Sequence, residues 1–162
     1  MKCLSCSAEM KTKRENVLYK DSGLPHVTLR NVEVSRCPQC GEEELAIPKI
    51  EALHKAIAQA LIRKPFRLDA AEIRYLRKYL GWSGADFADH MGTTRETVSR
   101  WENGTVPIGP QADRLLRLMV ATKAPVSDYS LDILKGISTE KSSHTLRLGL
   151  TVERGDWHAE AA

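Results

Sequence analysis

Four cysteines fall in two pairs, Cys3-Leu4-Ser5-Cys6 and Cys37-Pro38-Gln39-Cys40, and the chain beyond Cys40 contains none. A two-residue gap lets both thiolates of a pair reach one metal ion while backbone N–H groups turn toward the sulfurs. Two such pairs supply the ligands of a tetrahedral zinc. Gly41, directly after the second pair, suits the tight turn of such a knuckle. Four cysteine ligands leave no open position for water or substrate, so the expectation is one structural Zn2+ on Cys3, Cys6, Cys37 and Cys40. Two other chemistries use paired cysteines. Disulfides belong to oxidising compartments, and the opening stretch "MKCLSCSAEMK" lacks the apolar core of a secretory signal. A redox CxxC needs one pair at a strand–helix junction, and here there are two. His26, the nearest histidine, reads as a surface turn residue rather than a further ligand.

The second constellation is "TTRETVSRWENG", Thr93 to Gly104. Thr94 can cap a helix on which Val98 and Trp101 face inward, leaving Arg95, Glu96, Thr97, Ser99 and Arg100 outward. A helix presented in this way fits the DNA major groove, where its outward side chains reach base edges. Thr93 and Asn103 at its two ends, and Ser83 at the start of the preceding helix, complete the candidate DNA-contacting set. Glu96 and Arg100 are four apart and share a face. Glu96 is expected either to pair with Arg100 across one turn or to accept from a cytosine while Arg100 donates to a guanine.

These side chains need elements to position them. Between the cysteine pairs, two β runs flank "DSGLP", with Val27, Leu29, Val32 and Val34 partly alternating with polar neighbours. About 45 residues bury too little core to fold alone, so the metal is expected to supply the folding free energy of this module. Pro48 suits a first helical position, and Ile50, Leu53, Ile57 and Leu61 recur at helical spacing until Lys64-Pro65. That linker helix either packs back on the β module or serves as a connecting arm.

From Asp69 the chain reads as a set of short helices. Asp69 with Glu72 caps the first, whose Ile73, Leu76 and Leu80 face inward before Gly81. Ser83 with Asp86 caps the second, with Phe87, Ala88 and Met91 inward before Gly92. After the helix capped by Thr94, the loop "NGTVPIGP" leads to a fourth, Pro110 to Thr122, carrying Leu115, Leu116, Leu118 and Met119. In the remaining segment, "HTLRLGLTVE" alternates Leu146, Leu148, Leu150 and Val152, which predicts a strand near 144–154. A lone strand must pair with the β module, a second tail strand near Tyr129 to Leu134, its twin in a dimer, or a partner protein, or else stay mobile. Trp157 is placed to anchor the end. The organisation is α+β: a zinc-binding β domain over 1–47, a linker helix over 48–64, a helix-turn-helix domain of four to five helices over 65–124, and an extension over 125–162.

Composition fits a soluble globular chain, with 42% hydrophobic and 28% charged residues and no apolar run long enough for a bilayer. A cytoplasmic protein with no membrane partner is expected. Net charge is +3, and residues 49–124 alone hold an excess of five positive charges, which suits a polyanionic partner. No glycine-rich phosphate loop, no nucleophile beside an obvious base and no recognisable carboxylate pair occurs, so an enzyme is not expected. His54 and His90 read as surface residues.

The stretch "LRKYLGWSGADFADHMGTTRETVSRWENG" resembles the Xre-type helix-turn-helix of phage repressors and bacterial regulators, down to its "SRWENG" ending. Adding the CxxC…CxxC module that ends in "VEVSRCPQCGEEEL" and the linker helix, residues 1–122 resemble the MqsA-type antitoxins with their YgiT-type zinc finger. The resemblance implies a structural zinc on the four cysteines, toxin contact through the N-terminal module, and a homodimer on a palindromic operator of double-stranded DNA that represses its own operon. It also places the base-reading arginine at Arg100.

Three departures stand out. Glu96 occupies the position of the family's base-contacting asparagine. Gly84 replaces a phosphate-contacting glutamine, leaving backbone N–H groups and the Ser83 hydroxyl. Residues 125–162 extend past the point where a minimal member stops. The alternatives are a stand-alone Xre-type regulator with a zinc-stabilised interaction domain, and a protein-interaction adaptor with weakened DNA binding, the latter favoured by Gly84.

Overall fold

The computed structural model describes residues 1–123, 129, 133, 136–138 and 145–161. Strands β1 (Lys11–Leu18), β2 (Val27–Arg36) and β3 (Glu43–Ala46) precede five helices: α1 (Ile50–Arg63), α2 (Ala70–Tyr79), α3 (Gly84–Met91), α4 (Arg95–Glu102) and α5 (Pro110–Lys123). Strands β4 (Leu148–Glu153) and β5 (Asp156–Ala161) follow, so the fold is α+β.

β2 is the centre of one five-stranded sheet. Its first edge pairs antiparallel with β1, from Lys11 opposite Arg36 to Leu18 opposite Thr28. Its second edge is shared: β4 runs parallel beside residues 27–30 and β3 antiparallel beside 33–36. The chain turns between the two at Asn31, whose φ is 55°. Asparagine tolerates that left-handed backbone better than most residues. The Asn31 N–H donates to Asn16 Oδ1 at 3.0 Å, and Asn16 lies where the β1 register slips between Glu15 and Val17. Bulge and left-handed residue therefore bend the sheet together.

Of the pairings open to the tail strand, the β module is the one formed, with Leu148 opposite Val27 and Leu150 opposite Leu29. The suggested strand near Tyr129 to Leu134 lies largely outside the described residues. β5 was not anticipated. It folds back on β4 through Arg154-Gly155, with φ of 50° and 85°, as a two-residue hairpin of the primed type requires. Trp157 is buried and its Nε1–H donates to the Pro48 carbonyl at 2.8 Å, so it does anchor the end of the chain.

That contact accompanies a correction at the start of α1. Pro48 is not the first helical residue: Lys49, with φ of 48°, takes the N-cap and the helix begins at Ile50, which is 48% exposed instead of inward. Leu53, Ile57 and Leu61 are buried as expected, joined by Ala58 and Ile62. α1 packs against β5 on one side and α2 and α5 on the other, so it packs back on the sheet and is no free arm. One apolar cluster runs from Val27, Leu29 and Val34 through Leu53 and Ile57 to Ile73, Leu76 and Leu116. The sheet therefore does not depend on a metal alone for its core. Cys3, Met10 and Cys37 form a small separate cluster at the knuckles.

Buried charge fastens the helices where α1 turns into α2. Arg117 of α5, fully enclosed, binds Asp113 at 3.0 Å and donates to the carbonyls of Ile62, Lys64 and Phe66. These include backbone acceptors that a helix C-terminus leaves open. Asp113 in turn accepts from the Leu68 N–H at 3.0 Å. Buried Lys64 and Glu72 pair at 2.8 Å.

Candidate metal centre and nucleic-acid interface

The two cysteine knuckles are built alike. In each, the residue four after the leading cysteine sits in left-handed backbone, Ser7 at φ 63° and Gly41 at φ 77°, and its N–H returns to that cysteine's carbonyl. Each leading cysteine then donates its own N–H one residue further on, Cys3 to Ala8 and Cys37 to Glu42, both at 2.9 Å. Glycine explains the second turn; Ser7 adopts the same conformation without that freedom, and its place was not legible beforehand.

All four cysteines are free thiols, with Cys3 and Cys37 buried and Cys6 and Cys40 exposed. Their sulfurs lie within 4.8 Å of one another, at 3.5 Å for Cys3 to Cys40 and 3.3 Å for Cys6 to Cys37. A tetrahedral site with metal–sulfur bonds of about 2.3 Å has sulfurs about 3.8 Å apart, so the cluster can close on one ion with small adjustments. Backbone N–H groups, that of Cys40 first and that of Gln39 after it, point at the Cys37 sulfur and hold its thiol down at about 6 against the opposing effect of burial. The thiolate, the metal-binding form, is favoured there. His26 stands apart from the cluster.

The second site is built by caps. Asp69 and Glu72 form a capping box on α2, Ser83 and Asp86 form one on α3, and Thr94 Oγ1 accepts from the Thr97 N–H to start α4. α3 ends at Gly92, whose φ of 63° turns the chain so that Thr93 donates to the Ala88 carbonyl and α4 can begin at Arg95. Two eight-residue helices with this turn are the geometry of a helix-turn-helix.

The predicted set divides by what each side chain already holds. Val98 and Trp101 are buried, and Arg95, Glu96, Ser99 and Arg100 are exposed. Thr94 and Thr97 face each other at 3.0 Å, and Asn103 Nδ2 donates to Ser99 Oγ at 3.2 Å. The Ser83 hydroxyl gives its proton to Asp86 at 2.6 Å, so it serves the cap. Thr93 is half-buried in the turn. Among the described residues no ion pair joins Glu96 to Arg100, and Arg95, Glu96 and Arg100 keep their charged ends free of intramolecular partners.

Sequence reasoning missed what aims this helix. Arg77 of α2 grips Glu102 at the end of α4 with Nε and an Nη, at 2.5 and 3.1 Å, and donates to the Trp82 carbonyl at 2.8 Å. Arg74 donates to the Glu102 carbonyl. An aromatic series links α3 to α4: His90 stacks on Trp82 at 3.9 Å, Trp82 lies parallel to Phe87, and Phe87 meets Trp101 edge-on. His90 is exposed but engaged, its Nδ1 also 2.7 Å from the Asp86 carbonyl. His54 is no simple surface residue: it is half-buried between two rings, 3.0 Å from the Tyr19 hydroxyl.

Among the described residues no helix is long and apolar enough to cross a membrane. No curated protein and no solved structure matches the chain. Residues 73–128 match the helix-turn-helix family model. That span contains α3, the Gly92 turn and α4, with the outward face of α4 open. The central part of this chain is thus similar to helix-turn-helix domains, and the α3–turn–α4 geometry agrees with that match.

Proposed function

We propose that the protein is a sequence-specific transcriptional repressor whose α4 enters the major groove, with Arg100 reading guanine and Glu96 reading a neighbouring base. The observation that carries this reading is the triplet Arg95, Glu96 and Arg100, exposed on the second helix of the motif and unpaired among the described residues. Backbone N–H groups at the start of α3 supply the phosphate contact in place of a side chain at Gly84. Leu115 and Leu118, one turn apart on α5 and 38% and 39% exposed, offer an apolar stripe to a second copy. A dimer of this kind binds a palindromic operator with half-sites one helical turn apart.

The four thiolates are a soft, closed donor set that suits one structural zinc. By its resemblance to MqsA-type chains, the β module is the toxin-binding part of a cytoplasmic antitoxin. The outer edge of β1, which pairs with no strand among the described residues, offers backbone donors and acceptors for such a partner.

Gel shifts with the protein's own promoter test the DNA reading. Binding that is lost in Arg100→Ala supports it, and absence of any promoter binding at moderate salt leaves the adaptor reading in its place. A small neighbouring reading frame whose product co-purifies with the β module distinguishes an antitoxin from a stand-alone regulator.

A further inference from the structure

A cavity of about 320 Å³ opens between the start of α2 and the loop that follows α4. Its floor is apolar, formed by Ile73, Trp101 and Ile108, all buried in the core, with Val106 exposed at its mouth. Arg67 lines the same cavity. Its Nε is shielded from solvent and has no hydrogen-bond partner among the described residues, an unusual state for a guanidinium. Asp69, the other charged residue there, is already engaged: it accepts from the Glu72 N–H at 3.0 Å and fixes the α2 cap. The cavity is therefore lined by one guanidinium that holds no carboxylate among the described residues, beside an apolar floor, at a size near the lower end for small-molecule sites.

Part of the cavity wall hangs from α4. Thr105 and Val106 donate their N–H groups to the Arg100 carbonyl at 3.0 and 3.3 Å. Anything that fills the cavity presses on the loop that holds the C-terminal end of α4.

We propose that this cavity is an effector site for a small carboxylate with an apolar body. The carboxylate meets the Arg67 guanidinium, the body covers Ile73, Trp101 and Ile108, and occupancy changes operator affinity through the loop anchored on Arg100. The binding step stands on the cavity and Arg67, and the effector step rests on the DNA-binding reading above.

The test is a titration of the full chain with benzoate and hexanoate, followed by proton–nitrogen NMR, with benzyl alcohol and hexan-1-ol as uncharged counterparts. The acids should produce saturable shifts at the Trp101 indole N–H and the Val106 and Ile108 amides, with half-saturation at about 1 mM. The alcohols should bind at least about tenfold more weakly, the loss expected when a charge-assisted contact is missing. Arg67→Gln should weaken the acids to the level of the alcohols, and Val106→Glu, a surface change at the mouth, should do the same. Promoter affinity should change on saturation with benzoate in the wild-type chain and stay constant in Arg67→Gln.

Absence of saturable shifts with either acid overturns the site. So does an equal response to inorganic phosphate, which marks a non-selective anion contact. If Arg67→Gln leaves the benzoate response intact but lowers both promoter affinity and its salt dependence, Arg67 is a DNA phosphate contact and the proposal falls. Carboxylate binding that leaves promoter affinity unchanged overturns the effector step. Binding is read on the free protein, so a failure to bind any promoter is a separate result.

Discussion

Arg77 and Glu102 join α2 to the last residue of α4 through two hydrogen bonds of 2.5 and 3.1 Å, both side chains being mostly buried. The recognition helix is only eight residues long, too short to hold its direction by its own hydrogen bonds. Its aim comes from this clamp at one end and the Thr94 cap at the other. Replacing Arg77 by Met should cost about 2 kcal/mol in urea denaturation, the usual scale for hydrogen bonds to a charged partner. It should also weaken promoter binding although Arg77 is not among the candidate DNA contacts. Unchanged binding in a destabilised Arg77→Met protein would show that the clamp serves stability alone.

Arg100→Ala should lower affinity for the cognate operator by about 1–3 kcal/mol while leaving non-specific DNA binding nearly intact. Glu96→Ala should relax sequence preference more than it reduces overall affinity, because Glu96 makes no ion pair with Arg100. Competition gel shifts with operators altered one base pair at a time separate the two effects.

Losing the proposed zinc site should have a local effect. Cys3, Met10 and Cys37 form their own small cluster, whereas β2 and β4 share the main core with α1. In a Cys40→Ser variant, amide exchange should accelerate over residues 1–10 and 37–42 and leave the Leu148 amide, bonded to the His26 carbonyl at 3.0 Å, protected. Loss of protection throughout the sheet would mean that the metal holds the whole module.

Arg117→Met should be among the most destabilising single changes in the helical part, at about 3–5 kcal/mol. It strands Asp113 as a buried charge without its partner and removes a donor from the carbonyls of Ile62, Lys64 and Phe66. Combining it with Asp113→Leu should recover part of the loss, as read by thermal denaturation.

The α3 cap carries a pH signature. The Ser83 hydroxyl and then its N–H hold the Asp86 carboxyl below the ordinary aspartate value. A carboxyl depressed in the folded state stabilises the fold above its unfolded pKa, and that contribution fades as pH falls through the lower, folded value. An NMR titration should give Asp86 a midpoint below that of a free aspartate, and Ser83→Ala should return it toward normal.

Much of the helical domain was legible because its signals are local. Asp69 with Glu72, Ser83 with Asp86, and Thr94 with Thr97 each act across three residues, and Gly92 marks its own turn. The cysteine pairs were equally plain. What stayed hidden depends on partners distant in sequence. Arg117 reads as one more basic residue on a helix, and its burial is decided by carbonyls at Ile62, Lys64 and Phe66. Pro48 looked like a helix start, yet Trp157, more than a hundred residues later, takes its carbonyl. β5 escaped notice because its turn uses Arg154-Gly155 in place of an asparagine–glycine pair and its residues alternate weakly.

The parallel pairing of β4 with β2 sets an order of assembly. Residue 27 cannot meet residue 148 until residue 148 has left the ribosome, whereas α2 through α5 are complete once residue 123 has emerged. During synthesis the helices of the helix-turn-helix part should therefore fold first. The edge of β2 that will receive β4 waits open meanwhile, until the later-made β4 and β5 close it.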